Sequence, residues 1–155
     1  MKKIICLGLI LLFIGSSSFA QKAATSAFVE AGGPGLASFN FDTRFAARQD
    51  GWGLRLGLGG FVVDNEGAMF VPVTLNHLLG KDGRNYFEVG GGVTIVPFSS
   101  ATGNSPLAKT SGHLNFGYRY QPSNAGVLFR ATINPVFGNG FFWPFYGGVS
   151  VGYKF

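Results

Sequence analysis

Apolar side chains recur at every second position through most of this chain, in blocks of about ten residues, the length of a tilted strand that crosses a bilayer. Eight such blocks are separated by turn residues and fall at 27–32, 37–45, 52–62, 69–79, 85–96, 112–121, 127–137 and 145–155. After the first twenty residues, no segment keeps apolar positions at helical spacing for three turns. The pattern predicts an all-β protein of eight antiparallel strands.

Alternation divides each block between two faces. One carries Phe39, Phe41, Phe45, Trp52, Leu54, Leu56, Leu58, Val71, Val73, Leu75, Val89, Val93, Ile95, Leu114, Phe116, Tyr118, Phe129, Ala131, Ile133, Val149, Val151, Tyr153 and Phe155, and no charge. The other carries every mid-strand charge, Glu30, Asp42, Arg44, Arg55, Glu88, Arg119, Arg130 and Lys154, among Asn, Thr, Ser and many glycines. A soluble sheet turns its apolar face inward. Here the polar face is rich in glycine and poor in lysine, as a crowded interior requires. The apolar face has aromatics near strand ends and aliphatics at mid-strand, the girdle and band of a bilayer-facing barrel. The expected fold is an eight-stranded, up-and-down transmembrane β-barrel; a soluble β-sandwich or lipocalin-like carrier is the alternative.

Composition narrows the classes further. The chain of 155 residues has 25 glycines, 17 phenylalanines and only 12% charged residues, against roughly a quarter or more on a soluble surface. Residues 1–20 read as a secretory signal peptide: Lys2 and Lys3, an apolar stretch too short to span a bilayer, and a small-x-small site ending at Ala20. Cys6 lies inside that stretch, so the mature region 21–155, one barrel domain, is expected to have neither disulfide nor cysteine metal site. No later run of about 18 apolar residues offers a membrane helix. The formal charge of +5 falls to +3 without Lys2 and Lys3, and the remaining cations are scattered, which leaves no nucleic-acid footprint.

With both chain ends on the periplasmic side, the connections after strands 1, 3, 5 and 7 are external. The longest connection, after strand 5, then lies outside, and the turns RQDG, KDGR and PSNAG lie on the periplasmic side. Proline cannot donate to a sheet ladder. Pro72, Pro97, Pro135 and Pro144 all map near the external rim, Pro34 and Pro106 to external loops, and Pro122 alone to a periplasmic turn.

The leader, the eight alternating blocks and the terminal GVSVGYKF resemble the small eight-stranded outer-membrane β-barrels of Gram-negative bacteria, over essentially the whole mature region. VTLNHLLGK and GYRYQP also resemble segments of exported barrel proteins of unknown function. The resemblance implies a location in the outer membrane, contact with outer-membrane lipid, and recognition by the barrel assembly machinery through Val149, Val151, Tyr153 and Phe155. It carries no enzymatic activity to this chain.

The interior charges are the first candidates for function. An eight-stranded barrel is just wide enough for side chains to fill it, so these groups are expected to form a paired lumen network, with an ion-conducting passage as the lesser reading. His113, facing inward beside Ser111, is the one residue that raises a lipid-modifying hydrolase; that reading needs an outward histidine beside a serine and a carboxylate. His77 faces outward with no metal-ligand spacing near it. The glycine runs GWGLRLGLGG and EVGGGV precede no helix and read as space for large lumen neighbours. The aromatic run FFWPF at 141–145 reads as an interfacial anchor, with an exposed apolar patch for a partner or lipid as the lesser reading. The expectation is a monomeric barrel with a filled polar lumen and a structural, envelope-integrity or interaction role, the adhesive version weakened by the short external loops, without catalysis, metal or cofactor.

Overall fold

The computed structural model describes residues 23–63, 66–100 and 109–155. The strands are β1 Thr25–Gly32, β2 Ala37–Arg44, β3 Gly51–Val63, β4 Glu66–Leu79, β5 Asn85–Ser99, β6 Ser111–Tyr120, β7 Gly126–Ile133, β8 Val136–Gly138, β9 Phe141–Trp143 and β10 Gly147–Lys154. The predicted leader at 1–20 and Pro106 lie outside the described residues.

Each of β1 to β7 pairs antiparallel with its sequence neighbour, and β10 pairs with both β7 and β1, closing an eight-stranded barrel. Its strands are staggered. From Ala31, the ladder runs through Val149, Ala131 and Tyr118 to Phe87 in one direction, and through Ala37, Gly60 and Met69 to Phe98 in the other. Both ends of the row lie on β5, so the rows spiral around the wall and the strands tilt, which sets the width of the lumen. One rim holds the start of β1, the end of β10 and the turns at 45–50, 80–84 and 121–125; the other holds the connection at 33–36, the turn at 139–140 and the facing ends of β3, β4, β5 and β6. We call them the turn rim and the loop rim.

The predicted strand 127–137 is broken, whereas 145–155 stays whole as β10 and begins two residues late. Asn134 and Pro135 separate β7 from β8, and residues 144–146 separate β9 from β10. Two residues face three across the break, so it is a bulge, and Pro135 and Pro144 occupy the two sides of it. The ladder to β6 survives because the Pro135 carbonyl still accepts from Leu114 N–H at 2.9 Å. Pro72 adjoins a second irregularity, the register shift between Met69 and Val71. β9 was not anticipated as a strand: Phe141 to Trp143 reads as an anchor in one dimension, yet it pairs with β8.

At the turn rim, the Asp82 carboxylate accepts from the Asn85 amide and from the N–H groups of Arg84 and Asn85. These bonds, that of the Asn85 side chain first, pull its carboxyl down to about 2. The turn therefore keeps this clamp above the ordinary carboxylate range and loses it only as the pH falls toward 2.

The predicted outward residues are exposed or half-buried in the wall, Phe39, Leu58, Phe155 and Val149 among the most exposed, and the predicted inward ones are buried. The interior is not polar throughout. Leu78, Tyr86 and Leu128 are buried inside near the turn rim. Near the loop rim, Phe70, Val136, Thr94, Ser111, Pro34, Leu36 and Tyr146 close around a void of about 10 Å³. Pro34, expected in an external loop, is buried because the connection 33–36 folds into the mouth, with Gly32, Gly33 and Leu36 at φ of 76°, 68° and 59°. The charges are held between these two apolar plugs.

Candidate functional site

Among the described residues, seven charged side chains from six strands meet in the lumen, each at most 3% exposed. They alternate in sign along one continuous path. Arg55 lies 3.7 Å from Glu30, an ion-pair separation, and Glu30 lies 3.2 Å from Arg130. Arg130 grips Glu88 at 2.7 Å and 3.0 Å through two nitrogens, the two-pronged geometry only a guanidinium offers. Glu88 then lies 3.6 Å from Arg119, Arg119 3.0 Å from Asp42, and Asp42 2.6 Å from Arg44.

Each carboxylate thus stands between two arginines, and the path begins and ends on arginine. Four cations face three anions, so the cluster carries one surplus positive charge. Neutral groups bind many of the remaining donors and acceptors. Asn115 donates to Glu88 at 3.0 Å, Arg119 to Ser26 at 3.0 Å, and Arg130 to Ser150 at 3.1 Å. Asn76 accepts from Arg44 and donates to Asp42, both at 2.6 Å. Arg130 also lies 4.6 Å over the ring of Phe28, a cation on an aromatic face.

The path continues in neutral groups to both rims. Arg44 donates to the Gly51 carbonyl at 3.0 Å on the turn side. On the loop side Arg55 donates to Thr74 at 3.1 Å, Thr74 meets His113 Nε2 at 2.9 Å, and His113 Nδ1 meets Thr94 at 3.2 Å. Thr94 donates to the Pro34 carbonyl at 3.3 Å. With its proton used there, Thr94 is left to accept from Nδ1–H, while Thr74, accepting from Arg55, donates to Nε2. These roles assign the Nδ1–H tautomer and satisfy both ring nitrogens. His113 is 1% exposed, and among the described residues no serine or carboxylate is a hydrogen-bond partner of it.

Lys154, grouped with the charges by its facing, does not join them. Its ammonium is wrapped by the carbonyls of Pro122, Ser123 and Asn124 at 2.9, 2.7 and 3.3 Å, tying β10 to the turn between β6 and β7. Gln121 reaches across the same mouth to the Gln49 carbonyl at 3.0 Å. Val149, Val151 and Tyr153 on β10 and Phe155 just after it face outward; Tyr153 and Phe155 pack edge to face at 5.8 Å, and Phe155 N–H donates to the Thr25 carbonyl. His77 is half-buried in the outer wall, edge-on to Trp52 at 4.8 Å.

The inward apolar residues were missed by sequence reasoning, although their parity was available. Phe28, Leu78, Tyr86, Leu128 and Phe70 each sit an even number of positions from a polar lumen residue on the same strand.

No family model and no curated protein matches the chain. Among solved structures, the N-terminal β-barrel domain of Pseudomonas aeruginosa OprF is similar over 86% of this chain and 96% of that one, with a TM-score of 0.60 and 14% identity. The outer membrane enzyme PagL is similar over 85% of this chain and 98% of its own, with a TM-score of 0.46 and 17% identity. The likeness to OprF is one of fold: a closed eight-stranded antiparallel barrel of the outer-membrane kind.

Proposed function

We propose that this chain is an integral, monomeric barrel of a Gram-negative outer membrane, with its turn rim toward the periplasm, and that it serves envelope integrity rather than catalysis or transport. The single observation that carries this reading is the inversion of sides: charges paired inside, apolar side chains outside. A lipocalin-like carrier needs the reverse surface and an open apolar cavity. The enclosure of His113 by two threonines and the pairing of the lumen carboxylates with arginine support a non-catalytic role. Plugs at both ends of the charge cluster support a closed lumen rather than a pore.

Two measurements test the reading. The protein is expected to fractionate with outer membranes, resist extraction by aqueous buffer, and migrate as a compact band on a detergent gel until boiled. Release into buffer without detergent would overturn it. Reconstituted in planar bilayers, the protein is expected to give no discrete conductance steps, and regular steps would overturn the sealed lumen.

The last strand offers a separate check. A charge near the membrane interface costs only about 0–1 kcal/mol at equilibrium, so Phe155→Asp is expected to change stability little. Its effect falls on delivery: recognition by the assembly machinery would fail, and the inserted fraction in cells would drop well below that of Thr102→Asp. Equal insertion of the two variants would remove Phe155 from that role.

A further inference from the structure

Three of the four exposed cations among the described residues, Arg48, Lys81 and Arg84, sit on two adjacent turns at the turn rim; Lys109 is the fourth. Between those turns the outer wall opens into a cleft of about 610 Å³. Its lower wall is Phe45, Trp52 and Leu79, all exposed and continuous with the apolar belt. Its upper edge carries Arg48 and Lys81. A second hollow of about 330 Å³ adjoins it and shares Arg48, Asp50, Gly80 and Lys81.

The anions nearby are already engaged. Asp50 is bound by Arg48 at 2.9 and 3.0 Å, and Asp82 is bound by Asn85 and two backbone N–H groups. Lys81 has no partner among the described residues, and the Arg48 side chain is 65% exposed despite its bond to Asp50. Trp52 is fixed edge-on against His77, so the apolar wall does not collapse into the cleft.

We infer that this cleft is a binding site for one anionic glycerophospholipid of the leaflet at the turn rim. The phosphate lies against Lys81 and Arg48, and an acyl chain descends along Trp52, Phe45 and Leu79. The inference rests on the membrane reading above. Charge complementarity selects the headgroup, because a zwitterionic lipid brings its own cation toward the two on the rim. The continuity of the apolar wall with the belt selects a lipid over a soluble phosphate.

The two tryptophans of the chain make the test direct. With Trp143→Phe, Trp52 is the only indole, and the full-length protein is placed in phosphatidylcholine vesicles that carry either brominated-chain phosphatidylglycerol or brominated-chain phosphatidylcholine at equal mole fraction. Trp52 fluorescence is expected to be quenched more by the phosphatidylglycerol. Lys81→Gln is expected to weaken that preference about fivefold, the effect of one charge near a headgroup. Arg84→Gln, on the same rim but outside the cleft, is expected to leave it intact. Equal quenching by the two lipids, or an equal loss from Arg84→Gln, would overturn the site while leaving the barrel in its membrane. Absence of quenching by either lipid would overturn the membrane reading and the site together.

Discussion

Replacing Glu88 with alanine is expected to destabilise the barrel by about 3–5 kcal/mol, because the arginines it separates stay buried without their shared counter-ion. Arg130 loses its two-pronged partner and Arg119 its second carboxylate. Four cations then face two anions among buried groups, which is costly without pairing. Unfolding by urea in detergent micelles, followed by tryptophan fluorescence, measures the loss. Asp50→Ala is the control: its arginine is 65% exposed, and the midpoint should not move measurably. Pairing Glu88→Gln with Arg130→Gln should cost less than the sum of the two changes, since each alone strands the other residue. A loss below about 1 kcal/mol for Glu88→Ala would mean that the path is not energetically continuous.

Gly152→Val is expected to prevent closure of the seam between β10 and β1. Gly152 stands opposite Phe28 in the ladder. A Cβ there would lie 2.2 Å from the Ala27 carbonyl oxygen, 2.3 Å from Phe28 Cβ and 2.5 Å from Phe28 Cα. Those are backbone and near-backbone atoms, so no rotamer relieves the clash. Overpacking that side chains can absorb costs about 1–3 kcal/mol, and this case exceeds it because β1 itself must move. The ring of Phe28 also carries Arg130, so displacing β1 disturbs the charge path. Refolding into micelles should yield little of the compact, unboiled band. Gly147→Ala on the same strand meets only the Thr132 carbonyl at 3.9 Å, and it should be neutral or gain about 0.4–1 kcal/mol from a less flexible unfolded chain. A normal compact band from Gly152→Val would refute the steric argument.

These two positions show what the sequence made legible and what it hid. The facing of Glu88 and of Phe155 follows from parity alone, because a barrel wall separates two environments and successive residues alternate between them. Partnership is different. Glu88 meets Arg130 because strand stagger brings β5 and β7 side chains to one depth, and stagger is a property of the closed ladder, invisible within any one strand. Lys154 illustrates the same limit at the rim: parity turns it inward, but its reach and the bend of the turn at 122–124 decide that it grips carbonyls rather than a carboxylate. Phe28, Leu78 and Leu128 were obscured for another reason. Their chemistry suggests lipid while their parity points inward, where Leu78 and Leu128 lie buried near the turn rim and Phe28 lies beneath the Arg130 guanidinium. The short β9 was hidden by Pro144, which separates it from the strand it extends.

The seam between β1 and β10 also alters what the ends of the chain mean. Phe155 N–H bonds to the Thr25 carbonyl, and Lys154 is tied to the neighbouring turn, so the sheet is continuous across the seam. The break is in covalent connectivity only. A circular permutant that joins the two termini through a short linker and opens the chain at the turn at 80–84 would keep every strand pair of the barrel. Yet it would bury the terminal aromatic row inside a continuous strand. Such a molecule would separate two properties that coincide in the natural order of the chain: the free energy of the folded barrel, which it would retain, and the terminal assembly signal proposed above, whose role its insertion in cells would then test.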